Sequence, residues 1–397
     1  MKILQISQKN LSPPFDGGKI AMRAMADGLR KAGHVVDQWV LDTPRQPIQT
    51  NENTAHPDTL FTGKLDTRLN VFDALKNFFF SNASYNIERF YNKVIANEIA
   101  QIIRQNNYDI VQAESIFALA LIAPVLEELP MPVVLRAHNA EYVIWERMAQ
   151  SASNPIVSLY LTRMSKRLQN DELSLMSRVN GLVAISDTDL NLFKSLEYKG
   201  KSVVAGIPAL RILAPDADYP TDIHQLFHLG SMDWLPNLEG IVWFLDTVWP
   251  RIVAMYPDVK LSLSGKSMPR TISQRASQNL LIEQADHAAD FMLSRGMMIV
   301  PLRSGGGIRA KIIEGLGLGR IILTSSIGVE GIPATDREHL FICDTPDAYL
   351  DTLEFIRHNP AVVSQISKNA RIFARENYGI EQITKPVIDL YNELTQA

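Results

Sequence analysis

Short apolar runs alternate with longer stretches in which apolar residues recur at three- and four-residue spacing, and the alternation repeats along nearly the whole chain. The first pattern predicts buried strands and the second amphipathic helices. In the first half, strands are expected over residues 2–7, 34–41, 109–113, 132–137 and 181–185, with helices between them. A helix over 17–31 ends at Gly33, which suits the left-handed cap that closes helices. Another over 187–196 starts behind Ser186, with Asp189 at capping-box spacing. The periodicity then fades through 202–208 into a Pro- and Asp-rich stretch, 214–220, read as a linker. A second series follows, with strands expected over 225–229, 259–264, 280–283, 298–300, 320–323 and 340–342. Repeated βα units argue for parallel sheets covered by helices on both faces. The fold class is therefore α/β with two Rossmann-like domains, and the ligand is expected at the carboxyl ends of the strands, in the cleft between them.

Two segments interrupt the pattern. Residues 43–68 are polar and aperiodic and read as a long loop. Residues 71–91 hold Phe72, Phe78, Phe79, Phe80, Tyr85, Phe90 and Tyr91. Such density fits either helices packing on their own domain or a surface for an apolar acceptor or a membrane.

Composition changes the picture mainly by exclusion. A chain of 397 residues is too long for one ordinary core, which agrees with two domains. A net charge of -4 gives no global reason to expect nucleic acid. Cys343 is the single cysteine, so an internal disulfide is impossible, and it reads as a small apolar residue ending a strand. The first strand begins at once and no run of about 18 apolar residues occurs, so a cytoplasmic location is expected, with membrane contact only at the inner surface.

The chemistry concentrates at strand ends. Residues 301–314 join an apolar strand to a helix expected over 308–316 through Gly305, Gly306 and Gly307. Glycines let main-chain N–H groups approach an anion closely, and the helix start adds positive potential. Arg309 and Lys311 place two full charges in the expected first turn, with Glu314 one turn further on. That set suits a nucleoside diphosphate and its ribose hydroxyls; the plainer alternative is a βα turn with a solvated basic first turn. Gly17 and Gly18 open the first helix behind the first strand, where a phosphate or an acceptor could dock. His138 follows the strand over 132–137 and could bond a sugar hydroxyl or stabilise developing charge, and Glu141 could orient it or bind an acceptor. The pairs Asp187 and Asp189, and Asp216 and Asp218, have the Asp-x-Asp spacing of metal-dependent sugar transferases, but their places at a helix cap and in the linker favour a structural role. Lys266 follows a strand and could face the ligand, although the Gly265-Lys266-Ser267 run lacks the earlier glycine of a phosphate loop.

Taken in order, Pro13, Pro14, Gly17 and Gly18, then Gly33 and His34, then His138, Asn139, Glu141 and Trp145, then Gly230, Trp234, Pro236 and Asn237, then Gly306 to Glu314, then Gly328, Glu330 and Gly331 make a specific set. It resembles the retaining nucleotide-sugar glycosyltransferases of the GT-B class, the family-four group of bacterial envelope and polysaccharide enzymes. The resemblance implies an N-terminal acceptor domain over 1–206, a donor domain over 207–379, and a final helix over 380–397 crossing back to the first. It implies a nucleotide-sugar donor and a glycan or lipid-linked acceptor, with no metal and no other cofactor. Glu314 would bind the ribose, Arg309 and Lys311 the diphosphate, and His138 the donor sugar. Gly230, Gly305, Gly306, Gly307 and Ile308 would line the donor phosphates. Main-chain groups over 283–286 would read the base, and Gly17, Gly18 and Glu141 would face the acceptor. Two departures stand out. Many relatives carry a glutamate where this chain has Gly306, and many carry Arg and Lys in the loop after Gly230, where this chain has Met232 to Asn237. A sugar-nucleotide 2-epimerase and a non-catalytic nucleotide-sugar-binding subunit are the alternatives.

Overall fold

The computed structural model describes residues 1–11, 17–44, 47–48, 59–152, 154–217, 222–285 and 287–396. The chain divides into two compact units, one made of Met1–Ile207 with Ile383–Ala397 and the other of Pro208–Gln382.

The first unit is built on β1 (Lys2–Ser7), β2 (Val35–Asp42), β3 (Leu60–Lys64), β4 (Ile110–Ala113), β5 (Val133–Ala137), β6 (Gly181–Ala184) and β7 (Lys201–Val204). They form a parallel sheet in the order β3-β2-β1-β4-β5-β6-β7. Its central strands are buried along their length, which is why they read as unbroken apolar runs rather than as alternation. Leu4, Ile6, Leu135, Leu182 and Phe193 share one core with the helices laid over that face.

The second unit repeats the plan with β8 (Gln225–Leu229), β9 (Lys260–Ser264), β10 (Leu280–Glu283), β11 (Met297–Val300), β12 (Ile321–Thr324) and β13 (Phe341–Ile342). The order is β10-β9-β8-β11-β12-β13, again parallel. Leu226, Phe244, Leu263 and Leu323 lie in its core.

Both sheets reverse direction once. The strand order turns between β1 and β4 in the first and between β8 and β11 in the second. At such a point neighbouring crossovers diverge to opposite faces and leave a crevice at the carboxyl ends of the strands. The loops after β1, β4, β8 and β11 therefore carry the groups that matter most.

Two strands correct the sequence reading. β3 lies inside the stretch read as a loop, and β7 lies where periodicity was expected to give way to the linker. Both are edge strands, exposed or half-buried along most of their length, so neither carries the apolar run that marks a central strand. The last helix, Ile380–Thr395, contributes everything from Ile383 onward to the first unit. Tyr391 is fully buried there and donates its hydroxyl to Gln112 Oε1, and Glu393 pairs with Lys201 at 2.9 Å. Among the described residues no helix is long and apolar enough to cross a membrane.

Candidate active site

In the first unit, His138 stands one residue beyond β5, and its Nε2 lies 2.7 Å from Glu114 Oε2. Glu114 follows β4 directly and is fully buried. Burial alone would raise its pKa, but the Arg136 charge, the His138 contact and the Gln5 hydrogen bond together hold it below the ordinary range. Arg136 Nη1 reaches Glu114 Oε2 at 3.2 Å, and Gln5 Nε2 donates to Oε1 at 2.6 Å. Gln112 Nε2 donates to Oε1 as well. Arg136 is itself fully buried and also donates to the carbonyls of Ala21 and Gly206.

The ionised Glu114 acts only as an acceptor, so His138 carries its proton on Nε2 and leaves Nδ1 as an acceptor. Burial lowers the imidazole pKa, with the Glu114 bond opposing, and the ring is neutral at neutral pH. A neutral, oriented imidazole can accept a hydrogen bond from a hydroxyl. The residue after Glu114, Ser115, has φ of 127°, a backbone region that non-glycine residues rarely adopt. It caps the helix Ile116–Ile122 by accepting from Ala118 N–H at 3.2 Å.

Glu141 opens the helix Glu141–Ser151, and burial pushes its carboxyl up to about 7. Ala140, at the cap position, has no side chain able to accept from the helix start. Glu172, from the neighbouring helix Pro155–Met176, does so instead, accepting from the N–H of Glu141 at 3.0 Å and of Tyr142 at 2.8 Å. Burial lifts Glu172 to about 8, with the Glu141 carboxyl adding to the effect. Gly18 lies in the first turn of the helix Gly17–Lys31, and residues 13–16 before it lie outside the described residues.

In the second unit, β11 runs into Gly305, Gly306 and Gly307 as expected. Gly305 and Gly307 have φ of 107° and 76°, which explains the glycines directly. The helix starts later than the sequence suggests, at Ala310–Gly317, so Arg309 occupies the cap position rather than the first turn. Its guanidinium turns back onto the carbonyls of Gly306 and Gly307, reaches Ile327 O at 3.4 Å, and sits 5.4 Å from the Trp234 ring. Arg309 is buried. The carbonyls of Gly306 and Gly307 face into the loop, and Arg309 satisfies them.

Lys311 is in the first turn. Its Nζ donates to Asn237 Oδ1 at 2.9 Å and lies 3.5 Å from His228 Nε2. His228 is fully buried on β8, and its Nδ1 is 2.9 Å from Ile299 O, an acceptor only, so Nδ1 carries the proton and Nε2 presents a lone pair to the lysine. Burial, with the Lys311 charge next, keeps the His228 pKa well below its ordinary value. Burial, then the Arg309 charge, brings the Lys311 pKa down to about 7. Among the described residues no carboxylate pairs with Lys311. Gly230 closes the group from above, since a side chain there would collide with Lys311, Asn237 and His228.

Glu314 lies one turn beyond Lys311. Burial pushes its pKa up to about 7, against hydrogen bonds from the N–H groups of Leu210, at 2.7 Å to Oε1, and of Arg211. Ile308 is partly buried in the loop.

Other residues take structural places. Ser186 caps the helix Asp187–Ser195, accepting from Asp189 N–H at 3.0 Å. Asp216 pairs with Lys368 at 3.0 Å, and Asp218 lies outside the described residues. No three His, Cys, Asp or Glu side chains gather into a metal-sized cluster among the described residues. Lys266 is exposed, and its carbonyl accepts from Met232 N–H at 2.9 Å. Glu283 pairs with Arg295 at 2.7 Å, while Asp286 lies outside the described residues. Cys343 is fully buried.

Sequence reasoning missed Glu114, Glu172 and His228. Glu114 carried one available signal, a charged residue directly after a short buried strand.

No family profile matches the chain. An uncharacterized 44.6 kDa protein in the cps region of Klebsiella pneumoniae is 21% identical over 298 residues, which are 72% of this chain and 74% of that protein. Sucrose-phosphate synthase from Thermosynechococcus elongatus superposes with a TM-score of 0.70 at 15% identity, covering 100% of this chain and 99% of that one. HepE from Anabaena, solved with UDP and glucose, gives 0.69 at 12% identity over 99% and 100% of the two chains. TarM from S. aureus, solved as a variant with Fondaparinux, alpha-GlcNAc-glycerol and UDP, gives 0.73 at 10% identity over 98% and 99%. The fold is GT-B.

Proposed function

We propose that this protein is a retaining, metal-independent glycosyltransferase of the family-four kind, which transfers a sugar from a nucleoside diphosphate donor to a hydroxyl of a glycan or lipid-linked acceptor. One observation carries the reading: Lys311 is a half-buried cation at a helix start behind three glycines, held by two neutral side chains and unpaired with any carboxylate among the described residues. Such a charge is costly until an anion arrives, and a diphosphate is an anion that helix N-termini and glycine loops accommodate. The UDP in HepE and TarM, and the cps-region relative, support a UDP-sugar and a polysaccharide context.

In this reading Gly230, Gly305, Gly306, Gly307, Ile308 and Lys311 receive the diphosphate and Arg309 holds the loop that does so. Glu314 accepts from the ribose hydroxyls, and His138 Nδ1 from a hydroxyl of the donor sugar. Gly17, Gly18 and Glu141 face the acceptor. The bond from the anomeric carbon to the phosphate oxygen breaks, the acceptor oxygen bonds to the same carbon from the same face, and the acceptor proton passes to the departing β-phosphate. Stabilising that oxygen is the main task, and a preorganised cation with N–H donors can perform it without metal.

Incubating the purified chain with UDP-, GDP- and ADP-sugars, with and without EDTA, and following nucleotide stabilisation and nucleoside diphosphate release tests this. Stabilisation by one nucleotide and EDTA-insensitive release on adding a glycan or lipid acceptor are expected. A ligand at 100 times its Kd adds about 2.7 kcal/mol. Failure of every nucleotide to stabilise the protein defeats the reading. Binding without release in any acceptor mixture leaves a non-catalytic subunit, and an altered nucleotide sugar without transfer identifies a 2-epimerase.

A further inference from the structure

The helix Val71–Phe80 is turned inside out. Its inward positions include the amide side chain of Asn77, which is buried and donates to Ala83 O at 3.1 Å and to Glu88. Phe72, Leu75, Phe79 and Phe80 face solvent instead, with Phe72 83% and Phe80 86% exposed. At about 100° per residue these four and Lys76 fall on one arc of roughly 140°. A helix stabilised by its own domain would bury that arc and expose the amide.

A second element with exposed apolar residues packs against this helix. Phe78 packs on Tyr160 with ring centroids 5.3 Å apart, and Arg167 donates to the carbonyls of Asn77 and Phe78, which fastens the helix to the start of Pro155–Met176. That start exposes Ile156 at 79%, together with Val157 and Leu159. Among the described residues, eight of the nineteen exposed large apolar side chains, counting Leu69, come from these two short segments. The charge beside them has one predominant sign. Lys76, Arg163 and Lys166 are exposed, against Asp73 as the one acid on residues 71–80 and 155–167. Aromatic and aliphatic tips ringed by lysine and arginine match an acyl-chain boundary beneath anionic headgroups. A second copy fits less well, because a two-fold pairing would set the same three cations against each other.

We propose that this face docks the protein on an anionic phospholipid surface, with the phenylalanines and Ile156 entering the headgroup boundary. The inference does not rest on the transferase reading.

Co-sedimentation of the full chain with vesicles of phosphatidylglycerol and phosphatidylcholine, against phosphatidylcholine alone, tests it. Binding to the anionic vesicles that weakens with added salt is expected. Combined Phe72→Ser, Phe79→Ser and Phe80→Ser should weaken binding by about 100-fold or more. Combined Lys76→Ser and Lys166→Ser should weaken it by about 30-fold, at roughly 1 kcal/mol per charge. Circular dichroism and Tm should stay unchanged in both, since all five side chains are exposed. No binding to anionic vesicles at low salt overturns the proposal, as does binding that survives the phenylalanine changes. Self-association abolished by those changes, without vesicle binding, assigns the face to a second copy and overturns it too.

Discussion

One charged group in each unit shows opposite ways of accommodating burial. In the first, Glu114 meets Arg136, His138, Gln5 and Gln112, so its charge is answered inside the protein and the imidazole is held in one orientation. In the second, Lys311 is met, among the described residues, by the neutral Asn237 and His228 and by no carboxylate, and Arg309 nearby is bound to loop carbonyls. A balanced buried charge can position a neighbour; an unbalanced cation leaves charge that an incoming anion could answer. The pKa shifts of these two groups follow that contrast, while burial raises Glu141 and Glu172 in the first unit to about 7 and about 8. Glu114 is lowered despite burial, whereas Lys311 is brought to about 7.

Breaking the balanced side should give the largest effect. Glu114→Ala strands a fully buried Arg136 and is expected to cost about 3–5 kcal/mol of stability, read by chemical denaturation. A cost below about 1 kcal/mol would show that Arg136 is satisfied by carbonyls alone and that the contrast between the units is false.

On the unbalanced side, Lys311→Ala should cut donor turnover by about 100-fold while the protein remains folded. Unchanged kcat and KM would remove Lys311 from the diphosphate.

The smallest effect is the sharpest probe of the contrast. Lys311 has a free-protein pKa of about 7, and a bound diphosphate raises it, so binding takes up a proton above that pH. Nucleotide Kd should weaken by up to about tenfold per unit between pH 7.5 and 9, where the diphosphate is already fully ionised. The Lys311→Ala protein should show a flat profile. The same depressed pKa destabilises the folded state. That cost is fully present below pH 7 and is lost as pH rises toward the ordinary lysine value, so Lys311→Met should raise Tm most at pH 6. Isothermal titration across the pH range and melting curves at its two ends check both, and a flat wild-type Kd would sink the linkage.

Much of this was legible beforehand, for identifiable reasons. The central strands and the helices over them announce themselves through apolar period, and the glycine loop through residues that only a positive φ requires, as at Gly305 and Gly307. The edge strands β3 and β7 are hard to read because they are exposed or half-buried along most of their length and so lack an unbroken apolar run. The sequence pattern puts Arg309 two positions too far into its helix, since a helix start moves with the carbonyls that need satisfying, and those depend on how the loop closes. Glu172, 31 residues from the helix start it caps, had no local trace.

The chain's own pattern thus carries the α/β class, the two series of βα units and the phosphate-like loop, because period and backbone permissiveness are properties of neighbouring residues. Folding alone settles which charges find partners. Glu114 and Arg136 are 22 residues apart, and His228 and Lys311 are 83 apart. Burial and pairing energies exist only once separate strand ends converge at the turning point of a sheet, and no stretch of sequence contains both sides of that contact.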